Sequence, residues 1–435
     1  MDTRNRIKFS EKQAALIWQQ VVGKELPSLE DELVSVIYPG RTNGDNGPDF
    51  LDAVISNKSH LTKGDVEVHV KSSDWYSHEH HASAKYNNVI LHVVMWHDYN
   101  SATLLQSGKP VPVLCLSKAL RHQAYLLPDQ LPCFQILDHT DRQTLGKLLK
   151  AAGEERFKQK ARHFQSGLKQ EEAGQVLFRG MMRALGYAKN TKPFEDLADR
   201  MPLNSLESRE GLTLKQALLL GTAGLLPSQR WPGRFAREKE VRELEQIWQL
   251  AGKKIKTMRE SDWNFLHIYP NNSPVRRIVA QSYLLERYCE GKLLAGILQL
   301  VKEAPLPDGH RVLENGLTVA GDGYWRDHFD FDIRNKTKIS ALLGNNKAGE
   351  IVVNAILPFT FSWGELANEP GLMKKAMELY NSYPKLAENE ITRHMAKQLG
   401  IEEPSDFSTC HQQGLIHIFR NYCREGKCSQ CPLVN

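Results

Sequence analysis

The sequence predicts an α+β protein with a mixed α/β domain over residues 1–135, a mainly helical region over 136–405 and a short Cys-rich tail over 406–435. Three observations predict it. Short strand-like apolar runs crowd the first 130 residues, the apolar period turns helical from about residue 140, and four of the 7 cysteines lie between Cys410 and Cys431. A chain of 435 residues holds two to four domains of ordinary size. Its 41% hydrophobic and 25% charged content excludes wholesale disorder, collagen and coiled coil.

Ser10 is placed to cap a helix over Glu11–Val22, with Ala14, Leu16, Ile17, Trp18 and Val21 as its apolar residues. Strands are predicted at Leu33–Tyr38, Phe50–Ile55, Asp65–Lys71, Val89–Trp96 and Val111–Leu116, separated by turn material such as Pro39–Pro48. Between the third and fourth there is room for a short helix or an ordered loop. Helical spacing follows over Gln170–Gly186, Leu214–Leu225 and Val275–Leu294, and returns at Gly371–Tyr380 and Glu390–Leu399. Residues 300–340 are loop-like, and Glu350–Leu357 is a short apolar run.

No apolar stretch reaches the roughly 18 residues of a membrane span, and the charged start Met1–Lys8 lacks the apolar core of a signal peptide. The expected location is the cytoplasm, with no membrane partner. In a reducing compartment, clustered cysteines point to a metal or cluster rather than to disulfides. The net charge of +5 permits a nucleic-acid partner without requiring one.

The segment Gly64–Trp75 carries the most chemistry. Read as a strand, it sends Val66, Val68 and Val70 to one face and Asp65, Glu67, His69 and Lys71 to the other. Asp49 follows a Gly-rich turn just before the preceding strand and can be brought close to this row. Carboxylates of this kind hold Mg²⁺ or Mn²⁺, which activates water and stabilises charge on a phosphodiester oxygen. A neighbouring His or Lys can orient the nucleophile.

The order of helix, strand, Pro48-Asp49-led strand, Glu67–Lys71 strand, short segment and strand resembles the core of the PD-(D/E)XK nucleases. The resemblance implies a restriction-endonuclease-like αβββαβ domain, metal-binding acids at Asp49 and Glu67, and a catalytic position at His69 or Lys71. The sequence departs from that pattern in one place, because His69 stands where the superfamily has lysine. The whole chain also resembles an uncharacterised bacterial family, domain of unknown function 2851. That resemblance rests on Gly47–Phe50, Glu67–Trp75, Asn88–Val94, Ala184–Tyr187, Gly221–Pro227 and Gln413–His417 with the terminal cysteines. It implies kinship and no activity.

His78 and His80 can ligate a metal, but spacing fixes no further ligand and assigns them to a polar loop; His92 reads as a core histidine. In the tail, Cys410, Cys423, Cys428 and Cys431 can hold Zn²⁺ or a [4Fe–4S] cluster. The end, Cys-(4)-Cys-(2)-Cys-Pro, resembles the iron–sulfur loop of endonuclease-III-like glycosylases, which implies that Cys423, Cys428 and Cys431 are ligands and that Cys410 supplies the fourth. A helix over Gln412–Tyr422 would hold Cys410 and Cys423 roughly 20 Å apart, so one of them needs a fold-back. Cys115, Cys133 and Cys289 read as small buried side chains.

Lys158, Lys160, Arg162 and Lys169, then Arg230, Arg234, Arg237, Lys239 and Arg242 with Trp231 and Phe235, form basic stretches. Cations and aromatics of this sort hold nucleic acid, although nearby glutamates balance them. Arg276-Arg277 is a further basic pair. Two functional expectations follow: a metal-dependent nuclease acting on DNA or RNA, and a non-catalytic nucleic-acid-binding or assembly protein with a degenerate nuclease fold and a structural zinc tail.

Overall fold

The computed structural model describes residues 10–29, 32–57, 60–119, 133, 141–231, 233, 238–265, 268, 270–331, 333–334, 341–401 and 407–434. They form an α+β chain that divides into two compact units. The first is Met1–Gly153, Glu388–Asp406 and His411–Asn435; the second is Glu154–Ala387 with Phe407–Cys410. The Cys-rich tail therefore belongs with the N-terminal sheet.

Helix α1 (Glu11–Gln19) opens with a reciprocal cap: the Gln13 N–H donates to Ser10 Oγ at 3.4 Å and the Ser10 N–H to Gln13 Oε1 at 2.9 Å. It ends three residues earlier than the apolar run suggests, and its buried Trp18 donates Nε1–H to the Pro39 carbonyl at 2.9 Å. Strands follow at β1 (Glu25–Pro27), β2 (Leu33–Tyr38), β3 (Arg41–Thr42), β4 (Phe50–Asn57), β5 (His60–Lys71), β6 (Val89–Trp96), β7 (Thr103–Leu104), β8 (Pro110–Val111) and β9 (Val113–Cys115). The main sheet runs β1-β2-β4-β5-β6-β9, with β3 beside β4. Its pairs are antiparallel from β1 to β5 and parallel from β5 through β6 to β9. Strand β5 is thus the pivot of a mixed sheet.

Period two sorts β5 as its sequence requires. Val66 and Val68 enter a core with Ala14, Trp18, Leu91 and Val93, while Glu67 and His69 face the other side. Strand β5 starts five residues earlier than predicted, because His60–Lys63 extend the hairpin with β4. Asp65 is used structurally, accepting from the Asp52 N–H (3.2 Å) and from Asn88 Nδ2 (3.0 Å).

The second unit is a helical body. Helices Ala173–Leu185, Leu212–Thr222 and Pro274–Arg287 supply Leu177, Phe178, Met181, Leu218, Leu219, Ile278 and Val279 to one core. The apolar run over 350–357 is helical, through Asn345–Ile351 and a π-turn at Val352–Ile356. Arg276 and Arg277, a basic pair in the sequence, are buried there. Arg276 donates to the carbonyls of Trp325 (3.0 Å), His328 and Ala341, and Arg277 to that of Leu342 (2.7 Å). Arg230 is held by Glu260 and Asp330 at 2.8 and 2.7 Å and lies over the Trp231 ring. These cations satisfy the fold rather than a phosphate backbone. Arg234, Phe235 and Arg237 lie outside the described residues.

A Cβ on Gly64 would stand 2.4 Å from Ile90 Cγ2 and 2.5 Å from the Asn88 carbonyl, so β5 can lie against the start of β6 only with glycine there. Gly64→Ala is expected to cost about 1–3 kcal/mol, read as a lowered urea midpoint. An unchanged midpoint would show that β5 shifts freely.

Candidate functional site

The site is built on the face of β5 opposite the apolar core. The turn before β4 is fixed by Asn43, whose Nδ2 donates to the Pro48 carbonyl at 2.9 Å and whose N–H donates to the Asp49 carbonyl at 2.8 Å. Asp49 is then clamped to β5 twice. Its N–H donates to Glu67 Oε2 at 2.9 Å, and its Oδ2 accepts the Val68 N–H at 3.1 Å.

The segment after β5 folds back over this face. Ser72 and Ser73 anchor it to Asp98: the Ser73 N–H and Oγ donate to its carboxylate at 3.0 Å each, and the Asp98 N–H donates to Ser72 Oγ at 3.0 Å. Trp75 is buried and donates Nε1–H to the Leu104 carbonyl at 3.0 Å. A short helix, α2 (Asp74–Ser77), leads to His78, and Glu79 takes a left-handed backbone with φ of 58° before a 3-10 turn at His80–Ala82. That reversal, strained for a non-glycine residue, lets His78 and His80 both reach the site.

Four ligand-type atoms meet there. His69 Nε2 lies 3.2 Å from His78 Nδ1, 3.2 Å from His80 Nε2 and 3.5 Å from Glu67 Oε1. Glu67 Oε1 is 3.0 Å from His80 Nε2. The ligand atoms of His69, His78 and His80 all lie within 4.8 Å of one another, a spacing that one metal ion can span. Behind them, His69 Nδ1 is 2.9 Å from His92 Nε2, and His92 Nδ1 is 3.2 Å from Thr103 Oγ1. With Nδ1–H of each ring donating outward along this chain, the His69 Nε2 lone pair is left for a cation, the arrangement usual for a metal-bound imidazole. Tyr86 stacks on His80 at 3.9 Å between centroids, and Trp75 meets His80 edge-on.

Burial governs the electrostatics of the site. Burial, reinforced by Asp49, pushes the Glu67 carboxyl up to about 9, and burial also raises Asp49. Burial, then His92, His80 and His78, holds His69 down to about 2; burial, then His80, holds His92 down to about 3. His80 is lowered as well, again chiefly by burial. Burial thus works against the charged forms of Glu67 and of His69 alike. A divalent ion would favour the ionised acid and the neutral imidazoles together, releasing a proton as it binds.

Of the residues singled out by sequence, Asp49, Glu67 and His69 come together. Lys71 does not join them: at the end of β5 it is more than half exposed, with Nζ 3.8 Å from Asp98. His78 and His80 belong to the cluster rather than to a loop apart from it, and the core histidine His92 backs His69. Glu11, exposed at the start of α1, lies within electrostatic reach of Asp49, His78 and His80 and adds a third acid at the rim. The signal for the added histidines was present as His-x-His in Ser77–His81, but the left-handed turn at Glu79 that aims them was not legible.

The tail departs from expectation at one residue. Cys410 is fully buried in the core of the second unit, hydrogen-bonded to Tyr380, and the helix Thr409–Asn421 carries the chain onward without the needed fold-back. Cys423, Cys428 and Cys431 belong to the first unit and line one cavity, together with Cys133.

The chain belongs to the family described as a protein of unknown function, DUF2851, whose model matches residues 11–390. No curated protein and no solved structure matches it. No described helix is long and apolar enough to cross a membrane.

The raised Glu67 carboxyl makes stability depend on pH. A folded-state pKa of about 9 against an ordinary 4.5 gives a contribution that is complete below 4.5 and lost as pH rises through 9. His69 and His92, lowered from 6.5, contribute in the opposite sense: fully above 6.5, and lost as pH falls through their folded values. In EDTA-treated protein, Glu67→Gln is therefore expected to melt above wild type at about pH 8, with the gap closing toward about pH 4.5. Thermal unfolding followed by circular dichroism checks this; a pH-independent gap would show Glu67 already ionised in the fold.

Proposed function

We propose that this protein is a divalent-metal-dependent phosphodiesterase, a nuclease acting on DNA or RNA. The observation that carries the reading is the convergence of Asp49 and Glu67 with His69, His78 and His80 on the pivot strand of a mixed sheet. Two features support the nuclease class. Helix α1 precedes β2, β4 and β5, paired antiparallel, and a short helical segment leads to β6, which pairs parallel to β5; this is the order that the PD-(D/E)XK resemblance implies. Asp49 and Glu67 also occupy the positions of that pattern's acids.

Glu67 and the three imidazoles would hold the ion, with Asp49 bracing Glu67 and presenting a second carboxylate. Nitrogen-rich donors suit Mn²⁺ or Zn²⁺ better than Mg²⁺, which prefers oxygen and water. A bound divalent ion would supply Lewis-acid activation of water and of a phosphodiester oxygen. The chain's own part is to hold that ion beside His80, which Tyr86 stacks on and Trp75 meets edge-on. Lys71 takes no part; where the superfamily has lysine, His69 stands as a ligand.

A non-catalytic reading draws on one observation, the solvent-facing Lys71 paired with Asp98, which leaves the site without its cation. Cleavage of single- and double-stranded DNA and RNA by the full chain with Mn²⁺, Zn²⁺ or Mg²⁺ separates the two. Asp49→Asn and His80→Ala are each expected to lower the rate roughly 100-fold or more, and Lys71→Ala to leave it within about threefold. Metal binding without cleavage of any of these substrates would favour the non-catalytic reading, and a large Lys71→Ala effect would return the lysine to the mechanism.

A further inference from the structure

The tail cysteines gather around a fourth partner from far away in sequence. Cys133, Cys423, Cys428 and Cys431 line one cavity in the first unit, whose other walls include Met395, Ile418 and Leu433. Three of the four thiols are buried and the fourth is partly so. Each lies within electrostatic reach of the others: Cys423 feels Cys431, Cys133 and Cys428, and Cys431 feels Cys133 and Cys428.

The surroundings supply donors to sulfur. The Leu433 N–H donates to the Cys431 sulfur, two residues along the chain. Gln398, buried at the end of the helix Glu390–Gln398, donates Nε2–H to Cys133 Sγ at 3.6 Å and also bonds Cys423. Burial raises the Cys423 and Cys431 thiols, and the buried amide and the backbone N–H work against it, toward the thiolate that binds metal.

Four thiolates can hold either a single zinc ion or a [4Fe–4S] cluster. Four sulfurs around a single zinc ion at 2.3 Å would lie about 3.8 Å apart. A cubane, with an iron at each ligated corner, holds its four thiolates further apart than one ion does.

We propose that Cys133, Cys423, Cys428 and Cys431 are the ligands of a [4Fe–4S] cluster, with Cys133 and not Cys410 completing the set, and with Gln398 as a positioning residue that donates to two of its sulfurs. The cluster links the segment after β9 to the C-terminal end of the chain. It is independent of the acid and histidine site, so either can fail without the other.

The test uses the full chain purified anaerobically, with iron, acid-labile sulfide and zinc measured together. Wild type and Cys410→Ser are expected to carry about four irons and four sulfides per chain, and Cys133→Ser and Cys423→Ser less than one iron. One zinc without iron overturns the cluster; full iron in Cys133→Ser, or its loss in a folded Cys410→Ser, overturns the ligand set. Should Cys133→Ser not fold, alkylation of native wild type decides. Cys133 should become reactive in the same step as Cys423, Cys428 and Cys431 when iron is chelated, and a Cys133 whose reactivity does not change with iron removal overturns the proposal.

Discussion

Asp49 and Glu67 hold each other, and the candidate site depends on that contact. The Asp49 N–H caps a Glu67 oxygen, and the Asp49 carboxylate caps the Val68 N–H next door. These two bonds fix where β4 begins against β5 before any ion is considered. They are made at the pivot of the sheet, where antiparallel pairing on one side gives way to parallel pairing on the other. Parallel pairing with β6 requires a crossover, and that crossover is the segment that carries His78 and His80 back over the face. The topology and the histidine cluster are therefore one feature: a hairpin in place of the crossover would leave no chain to bring the imidazoles in.

Burial works against charge on both Glu67 and His69: it raises the carboxyl and, with the neighbouring His92, lowers the imidazole. Structural carboxylates elsewhere in the chain are resolved differently. Asp330 faces the Arg230 guanidinium, and Glu245 accepts from the Ser228 N–H and hydroxyl. Within β5 itself, Asp65 is satisfied by Asn88 and by the Asp52 N–H. On one strand, Asp65 is met by neutral donors alone, whereas Glu67 accepts the Asp49 N–H and also lies against His69 and His80.

What was legible in the sequence follows the range of the interactions. Period two over residues 65–71 placed Glu67 and His69 on one face and the valines on the other, because strand geometry depends on neighbours alone. The cap at Ser10 and the strands Leu33–Tyr38 and Val89–Trp96 are local in the same sense. Lys71 was on the correct face but at the strand's last residue, where the chain turns to Asp74 and Asp98 and the side chain leaves the row. The His-x-His turn hinges on a left-handed Glu79, a conformation that residue type disfavours and that tertiary contacts at Trp75 and Asp98 impose. Arg276 and Arg277 look in sequence like a phosphate grip. Their carbonyl partners lie some fifty residues and more along the chain, so their burial could not be read locally.

Cysteine shows the same limit most sharply. Spacing grouped Cys423, Cys428 and Cys431, which line one cavity, and the helix after Cys410 set that residue apart, since a rise of about 1.5 Å per residue cannot be undone without a turn. Nothing local could nominate Cys133, which lies 290 residues before Cys423 and reads as a lone apolar thiol. The sheet explains how the two meet. Val54 and Ile37 face away from the α1 core, and Gly426 of the tail packs against both, while Lys63 pairs with Glu425 and Arg424 reaches Asp52. The tail is thus laid on the β2–β4 end of the same face whose β5–β6 end carries the acids and imidazoles. Apolar side chains pack on that face as well: Trp75 and Tyr86 lie against His80 and cluster with Val89, Leu105 and Val111, while Val94, Val113 and Cys115 form a second small group.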